Sequence, residues 1–125
     1  MKKIVIILLM GLFLVSGCSG KESDIKVMNI SKEEAVSLID EGALLVDVRS
    51  VTEYEQGHID DAINIDVQEI LNLKDSLNYN NMSISKNKKI IVYCRSGSRS
   101  SSAAKKLIEL GYTNIYDLGS IDNWK

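Results

Sequence analysis

Residues 43–48 (Ala-Leu-Leu-Val-Asp-Val) and 89–93 (Lys-Ile-Ile-Val-Tyr) are short apolar runs with almost no polar face. A strand that alternates polar and apolar residues can leave one face in water. A strand without that alternation must be covered on both, which is the condition of a buried parallel strand. Helix signals bracket the runs. Ser31 with Glu34 three residues on is a capping box, and the helix it opens places Ala35, Leu38 and Ile39 on one face before Gly42 stops it. Ser50 with Glu53 is a second capping box, opening a short helix to Gln56 that Gly57 ends. The spacing also predicts a helix over 67–77, with Ile70, Leu71 and Leu77 apolar. A further helix is predicted over 100–110, with Ala103, Ala104, Leu107 and Ile108 facing inward and Gly111 as its stop. Shorter strands are expected over 25–30, 62–65 and 114–118, and a polar, Asn-rich loop over 78–87. Proline is absent, so turns rest on Gly, Asn, Asp and Ser. Alternating strands and helices imply an α/β fold, a mainly parallel central sheet with helices on both faces. In such folds ligands bind beyond the carboxyl ends of the strands.

The start of the chain reads as an address. Lys2 and Lys3 precede an apolar stretch over 4–15 broken only by Gly11, and Ser16-Gly17-Cys18 follows. A secretory signal has this three-part plan. The apolar stretch falls short of the roughly 20 residues a spanning helix needs. Small residues directly before a cysteine resemble the lipobox of bacterial lipoproteins, in which the cysteine becomes the lipidated amino terminus. The expectation is therefore removal of residues 1–17, lipidation at Cys18, a short polar tether to residue 24, and one domain over 25–125. Lipid chains would hold the protein to the membrane on its extracytoplasmic side. An ordinary signal cut elsewhere, or an uncleaved anchor, is the alternative. With 15 basic against 17 acidic residues the chain is mildly acidic, which argues against nucleic acid or a polybasic membrane contact. The only other cysteine is Cys94. Acylation of Cys18 would leave it as a lone thiol in an oxidising compartment, which suggests use; a Cys18–Cys94 disulfide in an unlipidated chain is the other arrangement.

The chemistry concentrates in Cys94-Arg95-Ser96-Gly97-Ser98-Arg99, between the 89–93 strand and the 100–110 helix. A free cysteine is often just a small buried hydrophobe. Two arginines, two serines and a glycine around it do not look like core. Loop amides converging on one spot, the amino end of a helix and the permanent charges of Arg95 and Arg99 all favour an anion there. The site reads as a cysteine nucleophile facing an anionic substrate.

Three blocks of sequence, in consistent order, resemble rhodanese-like domains. Leu45-Val46-Asp47-Val48-Arg49 with Glu53-Tyr54, Gly57-His58-Ile59 and Ala62-Ile63-Asn64-Ile65 resembles their amino-terminal signature. Tyr93 to Ser100 resembles their active-site loop. Gly111-Tyr112-Thr113-Asn114-Ile115-Tyr116-Asp117-Leu118-Gly119 followed by Trp124 resembles their carboxyl-terminal signature. The resemblance implies a sulfurtransferase. Cys94 would take the outer sulfur of thiosulfate or another donor as a persulfide and pass it to cyanide or a thiol. Backbone amides from Arg95 through Ser96, Gly97 and Ser98 to Arg99 would cradle that sulfur, and Arg95 and Arg99 would orient an anionic donor. It implies no metal and no organic cofactor. Four residues separate Cys94 from Arg99, a spacing suited to a sulfur atom, where related cysteine phosphatases use five. The chain departs from the family at Asp60-Asp61, at Gly119-Ser120 in place of a double glycine, and in its closing helix, expected to be absent or a single turn. His58, the only histidine, looks structural, and Asp47 and Arg49 are expected to buttress loops by pairing. Tyr112 and Trp124 are expected to pack.

Two other functions fit the same residues. Cys94 could receive sulfur from a partner protein, or sense sulfide, without turning over small donors. The domain could also be an inert scaffold, against which the intact Cys94 and both arginines argue.

Overall fold

The computed structural model of the chain describes residues 25–125. Five strands form one sheet: β1 (Met28–Asn29), β2 (Leu44–Asp47), β3 (Ile63–Asn64), β6 (Ile90–Cys94) and β7 (Ile115–Ser120). Their order is β1-β7-β6-β2-β3, and every neighbouring pair is parallel. The helices are α1 (Lys32–Asp40), α2 (Val51–Glu55), α3 (Val67–Leu71) and α4 (Ser98–Glu109), and a 3-10 turn, Ile121–Trp124, closes the chain. This is the α/β architecture expected from the sequence. No helix among the described residues is long and apolar enough to cross a membrane.

Strand parity divides the core. Successive side chains point to opposite faces. Ile90, Val92 and Cys94 therefore join Val46 and Val48 on the face covered by Val67 and Ile70 of α3 and Ala103, Ala104 and Leu107 of α4. Ile91 and Tyr93 join Leu45 on the other face, packed with Ala35 of α1, Ile59 and Leu118. Every residue of β6 is buried, as its unbroken apolar run requires. The central position of β6 puts Cys94 at the carboxyl edge of the sheet, between β2 and β7.

Both capping boxes form as expected, Ser31 with Glu34 and Ser50 with Glu53. Other elements depart from expectation. The first strand shrinks to Met28–Asn29 because it is an edge strand with one neighbour, and Met28 is exposed. The helix predicted over 67–77 is only Val67–Leu71. Leu77 is instead drawn into the core, its amide donating to the Tyr112 hydroxyl at 2.9 Å, a tertiary bond that replaces helical pairing. The polar 78–87 segment holds a hairpin, β4 (Asn78–Tyr79) against β5 (Met82–Ser83). Asn80 and Asn81 turn it at φ +52° and +62°, the left-handed pair that two-residue hairpins use. The helix predicted over 100–110 starts at Ser98, two residues earlier. The last strand runs on to Ser120 through a bulge at Leu118: Val92 pairs with Asp117 but Tyr93 with Gly119. The closing helix is the single 3-10 turn.

Candidate active site

Gly97 makes the turn from β6 into α4. It adopts φ +103° as the residue before the helix, a conformation that favours glycine. The chain therefore reverses tightly over Cys94, and the first helical turn lies directly on its sulfur. Two backbone amides donate to Cys94 Sγ, Gly97 N at 3.0 Å and Ser100 N at 3.3 Å. The helix end adds its partial positive charge at the same point. Cys94 is a free cysteine with no exposed surface, so the sulfur lies on the floor of the loop.

Ser100 was not among the residues that sequence reasoning singled out. It is fully buried, and its hydroxyl donates to the Gly97 carbonyl at 3.2 Å, closing the turn from inside. Its signal was the serine directly after Arg99; placing the helix start at Ser100 hid it. Ser120 Oγ braces the loop from the other side by donating to the Arg95 carbonyl at 2.6 Å. Arg95, Ser96 and Ser98 face solvent.

The two loop arginines do different things. Arg95 is exposed and pairs with no carboxylate among the described residues. Arg99 is clamped: Nη1 and Nη2 donate to Glu53 Oε1 and Oε2 at 2.7 and 3.1 Å. The sequence reading left both free for the donor; in the structure Arg99 is held by α2, 46 residues away in sequence. That clamp, with the Ser50 capping bonds, pulls the Glu53 carboxyl down to about 2.

Asp47 and Arg49 buttress, as expected. Arg49 Nη2 meets Asp47 Oδ2 at 2.7 Å and donates to the Gly57 carbonyl at 2.7 Å, while Nε bonds both Asp47 oxygens. Both residues are buried, and the pair ties the end of β2 to the end of α2. Tyr93 continues the support: its hydroxyl accepts the Ile59 amide at 3.1 Å, and burial pushes its acidity far down. His58 is exposed, stacked on Tyr54 with ring centres 3.7 Å apart, its Nδ1 donating to the Tyr54 carbonyl at 2.9 Å. That is a structural role. Tyr112 is buried, and Trp124 packs on the α1 face. Beside the loop, a cleft of about 320 Å³ opens between α2 and the 3-10 turn, lined by Glu53, Gln56, Arg95, Ile121 and Asp122 with Arg49 and Gly57 behind. Cys18 lies outside the described residues.

The arrangement is a buried sulfur under two amide donors, beside a loop in which Arg95 is the one arginine without a carboxylate partner among the described residues. Residues 31–125 match the family described as the rhodanese-like domain. The chain is 38% identical over 96 residues to a putative mitochondrial thiosulfate sulfurtransferase of Schizosaccharomyces pombe, a match covering 72% of this chain and 66% of that one. It is 31% identical over 97 residues to the thiosulfate sulfurtransferase GlpE of Pseudomonas syringae, covering 77% of this chain and 85% of GlpE. Among solved structures, the human single-domain sulfurtransferase TSTD1 superposes with a TM-score of 0.65 at 28% identity, over 78% of this chain and 93% of that one.

Proposed function

This chain belongs to the rhodanese-like family and is an enzyme of the thiosulfate sulfurtransferase type, and we propose that it moves sulfane sulfur from thiosulfate or a related donor to a thiophilic acceptor through a persulfide on Cys94. The observation that carries this is the pair of amides, Gly97 N and Ser100 N, at 3.0 and 3.3 Å from Sγ. They stabilise negative charge on sulfur in the attacking thiolate and in the persulfide alike. The thiolate attacks the outer sulfur of thiosulfate. The Sγ–S bond forms, the donor's S–S bond breaks, and sulfite leaves with the electron pair. A thiol or cyanide then attacks the outer sulfur and regenerates the thiolate. Because Cys94 has no exposed surface, a donor must present a thin terminal atom, which the outer sulfur of thiosulfate is. Arg95, at the mouth, orients the anion, and the amide-bearing segment from Ser96 through Gly97 to Ser98 shapes the space above the sulfur. Thiosulfate with cyanide yields thiocyanate from the wild-type chain and none from Cys94→Ser. Equal activity in both proteins refutes the assignment.

In the same proposal residues 1–17 direct export, and Cys18 carries the lipid that holds the domain on the outer side of a bacterial cell membrane. The sequence pattern Ser16-Gly17-Cys18 after an apolar stretch supports it. The tether meets the domain ahead of β1, at the amino edge of a parallel sheet, whereas Cys94 sits at the carboxyl edge. Radiolabelled palmitate enters the wild-type chain and not Cys18→Ser; label retained in that variant refutes the anchor.

A further inference from the structure

Of the charges around the loop, nearly all are already spent. Arg99 is held by both oxygens of Glu53. Glu53 is not a loose surface acid: its Oε1 also accepts the Ser50 amide at 3.1 Å and the Ser50 hydroxyl at 3.0 Å. The α2 cap therefore fixes its rotamer, and the carboxyl stays charged at any working pH. Arg49, at the back of the cleft, is committed to Asp47 and the Gly57 carbonyl. Asp122, on the opposite wall, pairs with Lys125 at 3.0 Å. Among the described residues that line the cleft, Arg95 is the one cation without a carboxylate partner.

We infer that Glu53 is a specificity residue: by holding Arg99 it leaves Arg95 as the one cation without a carboxylate partner among the described residues of the Cys94 loop and the cleft beside it, a setting matched to a sulfur donor that carries one negative charge in preference to a dianion. This rests on the sulfurtransferase reading above. A second donor charge would sit beside Glu53 with no cation to replace its lost hydration, so discrimination comes from repulsion as much as attraction. The donor class that fits is an organic thiosulfonate anion, R–SO2–S⁻. Its reaction balances in the same way: Sγ attacks the outer sulfur, the Sγ–S bond forms, the donor's S–S bond breaks, and a sulfinate leaves with the electron pair. The product is the same Cys94 persulfide.

Thiosulfate and methanethiosulfonate differ by one charge at nearly constant shape, so their kcat/KM ratio with cyanide as acceptor reads the effect. Four full-length proteins are compared: wild type, Glu53→Gln, Arg99→Gln and the double variant. Gln at position 53 can still complete the capping box, which keeps α2 in place. In Glu53→Gln the thiosulfate-to-methanethiosulfonate ratio rises by about fivefold, the upper range for a partly exposed ion pair. In Arg99→Gln, where Glu53 is left unpaired, it falls by a similar factor. The double variant returns to the wild-type ratio within about twofold, a rescue that a purely structural role would not give. A ratio unmoved or lowered in Glu53→Gln, or a double variant stuck at the Arg99→Gln value, overturns the inference and makes Arg99 itself a donor ligand. If no protein forms a persulfide from either donor, the sulfurtransferase reading fails separately. The charge preference is then read from protection of Cys94 against iodoacetamide by sulfate and by methanesulfonate. Protection must shift toward sulfate in Glu53→Gln and back in the double variant; identical protection across the four proteins refutes it.

Discussion

Replacing Arg49 by methionine should unsettle both the fold and the site, and the size of the effect follows from the geometry. Asp47 has no exposed surface, and Arg49 is 7% exposed. Asp47 accepts from Arg49 Nε at 3.0 Å, Nη2 at 2.7 Å and the Arg49 amide at 2.9 Å. Methionine keeps the stem and the amide but removes the charge. A buried carboxylate left with one amide partner costs about 3–5 kcal/mol. That is a large share of the roughly 5–15 kcal/mol that holds a domain of this kind together. The Gly57 carbonyl also loses its donor, which frees the end of α2 and with it Glu53, the partner of Arg99. The assay is urea unfolding followed by the fluorescence of the single tryptophan, Trp124. With a slope of about 1–2 kcal/mol per molar urea, the midpoint should fall by about 1.5 M or more. Asp47→Leu combined with Arg49→Met should recover at least half of the loss, because removing both charges of a buried pair leaves none uncompensated. A loss under about 1 kcal/mol in Arg49→Met, or a double variant less stable than the single, would refute the reasoning.

The remaining expectations are more local. Gly97→Ala should cost about 1–3 kcal/mol, all of it conformational, since a Cβ at φ +103° would lie 4.0 Å from Gly119 Cα and meet no clash; a thermal melt unchanged from wild type, with the same rate of persulfide formation, would contradict this. Tyr112→Phe removes the hydroxyl that accepts from Leu77 N and donates to the Ile84 carbonyl, so stability should fall by about 1–3 kcal/mol, with hydrogen-exchange protection at Leu77 lost first; full protection at that amide would refute the role given to Tyr112. Glu53 is held down to about 2 from 4.5, first by the Arg99 bond and then by the Ser50 amide. A depressed carboxylate contributes stability above its unfolded value and loses it as pH falls through the folded value. The stability difference between wild type and Glu53→Gln should therefore hold from neutral pH down to 4.5 and shrink between 4.5 and 2; a difference already gone at about pH 5.5 would contradict the clamp.

Features that depend on neighbours in sequence could be read without a structure. The Ser31 and Ser50 capping boxes need only four residues each, and the runs that became β2 and β6 carry their burial in their composition. The Cys94 loop was legible because strand end, glycine and helix start follow one another. What escaped depends on distance. Glu53 was read as the end of a capping box and as part of the amino-terminal signature, and nothing local says that the same carboxylate reaches across 46 positions to Arg99. The helix over 67–77 failed because Leu77 has a better partner in Tyr112, 35 residues away. Two misses were local and recoverable. The Asn80-Asn81 pair is a hairpin turn signal that composition disguised as plain loop. Gly97 at a positive φ could have marked the start of α4, and with it the Ser100 amide on the sulfur.

The central claim is that sulfur passes through Cys94. The most direct measurement uses the full chain carrying Cys18→Ser, so that Cys94 is its only thiol. It is incubated with thiosulfate and weighed intact, beside the same chain carrying Cys94→Ser as well. The account predicts a gain of one sulfur atom on the first protein alone, removed on adding cyanide. No added sulfur on a Cys94 that iodoacetamide still alkylates, or the same gain on both proteins, would contradict it.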